Sequence, residues 1–179
     1  MDDDDAVLVE RYLRKQDENA ARMLYERYSQ RLFGFLLRYL GDYNLAEDAL
    51  QETFFRVLRS LSHYDKRRPF ASWVYKIALN VARDAFVSSR KVAFSEIDPS
   101  LVESAEPERM DCDLALKVRE SLEILSPDHR SVFILYFWEG FSYQEIAQIL
   151  DCPVGTVKSR MHYASMTMRR HLKDIVEAF

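Results

Sequence analysis

Four glycines and five prolines are scattered through 179 residues, which leaves little material for hairpin turns or for a low-complexity chain. Cysteine is nearly missing. Cys112 and Cys152 are too few for a disulfide framework and have no zinc-ligand neighbours, so both read as reduced thiols, with a regulatory disulfide between them as the alternative. Nowhere do about 18 apolar residues run together, so no membrane insertion is expected. The opening MDDDDAVLVERYL is acidic where a secretion signal carries a basic stretch. The four histidines, His63, His129, His162 and His171, fall in no metal-binding spacing, and the chain has neither a phosphate-cradling glycine loop nor a nucleophile elbow. An enzyme, a metal site and a bound cofactor are therefore not expected, whereas a cytoplasmic location is.

What the chain does have is concentrated between Ser142 and Leu172. Ser142 can cap a helix and Glu145 stands three residues on, the spacing of a capping box. Ile146, Ala147, Ile149 and Leu150 supply its apolar face. Asp151-Cys152-Pro153 stops that helix, because Pro153 has no N–H and biases Cys152 away from the helical region. A second helix restarts at Val154 and keeps Val157, Met161, Ala164, Met168 and Leu172 on one stripe. Its other faces carry Thr156, Lys158, Ser159, Arg160, His162 and Tyr163, and small Ala147 permits a close crossing. This is the pattern of a helix-turn-helix, in which the second helix enters a DNA major groove. An ordinary αα-hairpin with a solvated charged face is the alternative.

The formal net charge of −4 runs against a nucleic-acid role until the charges are mapped. Residues 56–91 hold Arg56, Arg59, Lys66, Arg67, Arg68, Lys76, Arg83, Arg90 and Lys91 against only Asp65 and Asp84. Residues 92–113 are acidic apart from Arg109, and from Cys152 to Lys173 there are bases and no acid. Phosphate neutralisation depends on local positive charge. Two basic segments separated by an acidic one predict two separate contacts.

Periodicity predicts an all-α chain. A short helix covers 4–15, and a longer one starts at Asp17 with Ala21, Leu24, Tyr28, Leu32, Phe35, Leu36 and Tyr39 buried, ending at Gly41. Asn44, with Glu47 three residues on, is read as opening a third helix whose core face is Leu45, Ala49, Leu50, Phe54, Val57 and Leu61. After a polar loop, Pro69 suits the first turn of a fourth helix with Phe70, Trp73, Ile77, Val81 and Ala85 along one side. Periodicity then fades into a Pro- and acid-containing segment. Helix resumes near Asp113, and Ser126-Pro127 forms an N-cap and first-turn pair before the helix-turn-helix. The expected architecture is two small helical domains, 1–91 and 113–179, joined by a flexible acidic linker, 92–112.

Three long segments, DYNLAEDALQETFFRVLRSL, RPFASWVYKIALNVARD and LSPDHRSVFILYFWEGFSYQEIAQILDCPVGTVKSRMHYA, resemble the signature segments of bacterial sigma factors of the extracytoplasmic-function (ECF) type. The resemblance covers roughly residues 8–91 and 113–173. It implies a dissociable transcription-initiation subunit whose N-terminal bundle binds core RNA polymerase and opens the promoter −10 element, while the C-terminal domain reads the −35 element. The implied partners are the polymerase β′ clamp helices and β flap, promoter DNA and an anti-sigma factor. A simple helix-turn-helix regulator accounts only for the C-terminal half, and would call for a dimer interface or ligand pocket.

Site residues follow from both lines. Glu47, Asp48, Gln51 and Glu52 lie opposite the core face of the third helix, beside exposed Phe55. On the residues alone this is a solvated face; the resemblance makes Asp48, Gln51, Glu52 and Phe55 the polymerase-docking patch. The stretch from Lys66 to Arg83 mixes cations with Tyr64, Phe70, Trp73 and Tyr75, the combination single-stranded DNA needs for stacking and phosphate pairing. Lys66, Arg67, Arg68, Lys76 and Arg83 read as phosphate contacts. Trp73 and Ile77 read first as core, with Trp73 also placed in the −10 set. Asn80, an amide on an otherwise apolar helix, suits the edge of a flipped base, and the resemblance places it near the −10 pocket. In the second helix of the C-terminal motif, Lys158 and Ser159 match positions facing −35 bases, His162 and Tyr163 lie a turn further, and Thr156 and Arg160 read as phosphate contacts. Tyr163 and Ser165 stand where the family commonly has bases, which implies weaker backbone attraction. Met161 and Met168 read as core. The acidic segment reads either as a plain tether or, by resemblance, as a stand-in for RNA in the polymerase channel.

Overall fold

The computed structural model describes residues 4–95 and 112–176, and every regular element within those spans is helical. The N-terminal bundle comprises α1 (Asp5–Lys15), α2 (Glu18–Leu40), α3 (Tyr43–Ser60) and α4 (Phe70–Ser95), with one 3-10 turn at Leu61–His63. The C-terminal bundle comprises α5 (Cys112–Ile124), α6 (Pro127–Phe137), α7 (Tyr143–Leu150) and α8 (Val154–Val176). Among the described residues no helix is long and apolar enough to cross a membrane. The acidic segment falls almost entirely outside the described residues.

Local chemistry sets most of the boundaries. Asp17 caps α2, its carboxylate accepting from the Asn19 N–H at 3.0 Å, and is itself held by Arg11 at 2.8 Å. Gly41 terminates α2 at φ 77°, a left-handed conformation that penalises a Cβ. Ser126 caps α6 with Pro127 in its first turn. Ser142 and Glu145 form the reciprocal box at the start of α7: Glu145 N–H donates to Ser142 Oγ (3.3 Å), and Ser142 N–H to Glu145 Oε2 (2.8 Å). Such caps each contribute about 1 kcal/mol. One expected boundary is corrected. Asp42, not Asn44, caps α3, accepting from Leu45 N–H at 2.8 Å; Asn44 lies inside the first turn.

Three core stripes also shift. In α3 Ala46 is buried, whereas Leu45, expected in the core, is half-buried. In α2 the buried alanine is Ala20, with Ala21 only half-buried. In α4 the buried residues are Phe70, Val74, Tyr75, Ala78, Leu79, Val81 and Ala82, whereas Trp73, Ile77 and Ala85 are half-buried. The cause is that α4 packs on two sides, against α2 and α3 of its own bundle and against α7 of the other, so its buried arc is wider than one stripe. The helix-turn-helix core is nearly as expected: Ile146, Ala147, Ile149, Leu150, Val157, Met161, Ala164 and Met168 are all buried, while Leu172, at the far end of the stripe, is half-buried.

The bundles touch. Phe141 packs edge-on against Tyr75 (centroids 4.9 Å apart), Arg38 lies over the Trp138 ring at 5.3 Å, and Arg130, 3% exposed, donates to the Tyr39 carbonyl at the end of α2 (2.6 Å).

Candidate polymerase and nucleic-acid surfaces

The exposed edge of α3 carries Asp48, Gln51 and Glu52 one turn apart, all exposed, and Phe55, 61% exposed. They project opposite Ala46, Ala49, Leu50, Thr53 and Phe54, which fill the core. Glu52 accepts from Arg56 Nε at 2.6 Å, and Arg56 also reaches Asp84 of α4 at 3.2 Å. The Glu52 hydrogen bond holds the Arg56 guanidinium above its ordinary pKa. The aromatic edge is wider than the sequence indicated: Tyr25 of α2, 45% exposed, lies on Phe54 at 4.6 Å. An acidic face fringed by exposed rings has the chemistry to suit a basic, partly apolar partner.

A second surface forms where the C-terminal end of α3 meets α4. Arg56, Arg59, Ser60, His63, Ile77 and Asn80 line an open pocket of about 390 Å³, at the lower end of the roughly 300–1,000 Å³ of small-ligand pockets. Asn80 is exposed and is one of the residues lining this space. Arg56, Arg59 and His63 were not singled out as site residues by sequence. Their spacing on α3 and its 3-10 extension is the signal that could have found them, but only α4 completes the pocket. A donor–acceptor amide beside two guanidinium groups suits the polar edge of an unpaired base and its phosphate.

The loop between α3 and α4 is closed by a hydrogen bond and tied to the bundle by a ring cluster. Tyr64 donates to the Arg68 carbonyl, and Tyr64, Phe70 and Trp73 form a ring cluster with centroids 5.1–5.6 Å apart. Trp73 is half-buried. Tyr75 and Phe70, expected among the stacking aromatics, are 1% and 4% exposed and are not available to DNA: Phe70 plugs the bundle against Tyr28 and Tyr75 points into the inter-bundle seam. Of the expected phosphate-binding cations, Arg67 pairs with Asp65 at 3.0 Å, Lys66 with Glu10 at 3.1 Å, Lys76 with Asp151 at 3.4 Å and Arg83 with Asp128 at 3.0 Å. Arg68 is exposed. The Lys66 hydrogen bond keeps the Glu10 carboxyl below its usual range, as Arg67 does for Asp65.

The third surface is α8. Lys158, Ser159, His162 and Tyr163 are exposed on one side, while Val157, Met161 and Ala164 are buried on the other. Tyr163, 58% exposed, stacks on His129 of α6 with centroids 6.0 Å apart. Thr156 is half-buried at the first turn. Arg160 is half-buried and donates to Asp128 of α6. Cys152, in the turn between α7 and α8, is a half-buried free thiol.

These three surfaces follow one another along the chain: the acidic face of α3, the pocket between α3 and α4, and the exposed face of α8. The family models agree: Sigma-70 region 2 matches residues 24–92 and Sigma-70 region 4 matches residues 115–168. The RNA polymerase sigma-H factor of Pseudomonas aeruginosa is 30% identical over 185 residues, covering 96% of this chain and 95% of that protein. The ECF RNA polymerase sigma-E factor of Escherichia coli K12 is 33% identical over 187 residues, covering 96% of each. The chain belongs to the ECF group of sigma-70 RNA polymerase sigma factors, proteins that direct core RNA polymerase to promoters. Two solved structures share its fold. CnrH in complex with the cytosolic domain of CnrY gives a TM-score of 0.75 at 24% identity, covering 96% of this chain and 99% of that one. The sigma factor RpoE in complex with the anti-sigma factor NepR from Bartonella quintana gives 0.67 at 23%, covering 85% and 96%.

Proposed function

We propose that residues 1–91 form the unit that binds core polymerase and opens the −10 element, that residues 113–179 read the −35 element, and that 92–112 link them. Asp48, Gln51, Glu52 and Phe55 dock the β′ clamp helices. The pocket around Asn80 holds an extruded −10 base, with Trp73 at its margin and Lys66, Arg67, Arg68, Lys76 and Arg83 taking phosphates. Lys158, Ser159, His162 and Tyr163 read −35 base edges, flanked by phosphate contacts from Thr156 and Arg160, while the remaining surface of the C-terminal bundle meets the β flap. The chain acts in the cytoplasm without catalysis of its own. Its regulon answers stress or envelope damage, and an anti-sigma factor restrains it, as in the RpoE–NepR complex.

The observation that carries this reading is the division of α8 into a buried apolar stripe and an exposed Lys158/Ser159/His162/Tyr163 face, beside the separate open pocket at Asn80. Two different recognition surfaces on two bundles suit two promoter elements. The test is transcription from a randomised promoter library by core polymerase with and without the purified chain. Enrichment of templates sharing two conserved blocks at fixed spacing is the expected result; enrichment of one block, or none, sinks the two-element assignment.

A further inference from the structure

The first turn of α6 braces the exposed edge of α8. Ser126 caps that turn, its hydroxyl accepting from the His129 N–H at 3.4 Å, and Pro127 fixes the backbone beside it. Two neighbouring residues of the turn grip two residues of α8 that stand three apart, and so one above the other on that helix. Asp128 accepts from the Arg160 guanidinium. The His129 ring stacks on the Tyr163 ring, with centroids 6.0 Å apart and planes inclined at 29°. His162 meets the same ring edge-on, with centroids 5.6 Å apart. Three rings from two helices therefore stand together, and Tyr163, the middle one, is exposed. Met166, a turn further along the same face of α8, is exposed too.

A tyrosine on a helix surface turns freely, and ordering it in a complex costs entropy. The stack on His129 meets that cost before any ligand arrives and keeps the ring pointed one way. The face that the ring joins changes character along the chain. Lys158 and Ser159 are polar, whereas Tyr163 and Met166 present hydrocarbon. A cation at position 163 would seek a phosphate or a guanine edge. A phenol ring carries no charge for either, but its surface fits an apolar group. Among the base edges of the major groove, the apolar group on offer is the C5-methyl of thymine.

We propose that Tyr163 reads the C5-methyl group of a thymine in the −35 element, and that His129 of α6 is the positioning residue that holds its ring for that contact. The inference rests on the assignment of the exposed face of α8 to −35 DNA under the proposed function. It adds the base that Tyr163 selects and the residue that aims it.

The test uses holoenzyme and the promoter selected from the randomised library, with each −35 thymine replaced in turn by deoxyuridine. That replacement removes the methyl group and leaves the base pair intact. At one position it should weaken binding about fourfold, the yield of burying one methyl group. Tyr163→Ala should abolish the penalty, and Tyr163→Phe should retain it. His129→Ala should reduce it to about twofold or less, because a ring free to rotate has to be ordered on binding. His129→Phe, which keeps a ring in the stack, should restore it. A His129 that merely supported the fold would, when removed, weaken binding to both duplexes alike and leave the penalty whole; that result overturns the positioning role. A selected −35 element without thymine overturns the methyl contact. So does the absence of any deoxyuridine penalty while Tyr163→Ala still alters preference, a result that leaves the assignment of α8 to −35 DNA standing. An even loss of affinity in Tyr163→Phe marks the hydroxyl as a phosphate donor and overturns the contact as well. If Tyr163→Ala changes no −35 preference but weakens association with core polymerase, the ring belongs to a protein interface, and the proposal fails together with the DNA assignment of Tyr163.

Discussion

Lys66, Arg67, Lys76 and Arg83 of the N-terminal bundle each rest on a carboxylate, whereas Lys158 of α8 is exposed and has no ion-pair partner among the described residues. The first surface is neutralised and shaped: a pocket with an amide at its wall and a ring cluster beside it. The second is open and directional: side chains along one exposed helix face, with Arg160 held by Asp128 and the Ser159 hydroxyl donating to the Thr156 carbonyl. The difference matches two tasks. An unpaired base is selected by fit and stacking, which needs a preformed hole and little net field. A paired base is read at its edge, which needs donors free to reach into a groove. Exposed ion pairs contribute about 0–1 kcal/mol each, so phosphates can displace the N-terminal ones at small cost.

The comparison can be broken at several points, the largest effect lying outside both DNA surfaces. Gln51→Lys combined with Glu52→Lys reverses the charge of the α3 edge without touching the core, and core polymerase affinity should fall about a hundredfold or more, since like charges across an interface cost several kcal/mol. Co-sedimentation with core enzyme measures it; retained affinity in a folded double variant removes that edge from the polymerase interface. Asn80→Ala should reduce −10 melting roughly tenfold or more, the effect of leaving a hydrogen-bonded partner unmatched, while −35 binding is unchanged. Permanganate reactivity at the −10 element reads this, and normal melting would exclude the amide.

Lys158→Ala is expected to cost roughly 1–3 kcal/mol at one or two −35 positions and little elsewhere, whereas Arg160→Ala weakens all sequences alike and lowers the salt slope by about one unit. Selection among −35 variants with holoenzyme separates them. An even loss for Lys158→Ala would move base reading to His162 or Tyr163. The smallest effect is on stability. Arg11, together with the α2 N–H groups, holds the Asp17 carboxyl below its ordinary value. A lowered folded-state pKa stabilises above the unfolded carboxylate value, and that contribution is lost as pH falls through the folded value. Asp17→Asn keeps the cap but loses the ion pair, so the acid limb of the melting-temperature curve should flatten. An unaltered limb would show that the Arg11 pair contributes nothing.

Legibility in the sequence tracked the range of the interaction. The cap at Asp17, the stop at Gly41, the Ser126-Pro127 start and the Ser142/Glu145 box depend on neighbours within a turn, and each stands where the spacing put it. Asn44 failed because Asp42, already extended at φ −129° after Gly41, competes for the same orphan N–H groups and is better placed. The stripe of α4 failed because one helix serves two bundles; Tyr75, an aromatic in a basic segment, looks like a stacking platform until Phe141 and Glu139 are known to cover it. The exposed sides of α3 and α8 were legible because a single periodicity decides them. The pocket at Asn80 was legible in one residue only, since its other wall comes from α3, and the pairing of Asp128 with Arg83 joins positions that no local pattern relates.

Arg130 gives the seam a last property. It is buried, and it gathers the Tyr39 carbonyl from one bundle and the Glu123 and Leu125 carbonyls from the other. Together with Glu139 and Asp128 it joins the bundles through ions and dipoles, beside the apolar contacts that make both part of one buried core. Charges held that far from water are screened little by salt. Ionic strength therefore acts on the exposed pairs across the contact, Lys76 with Asp151 among them, far more than on Glu139.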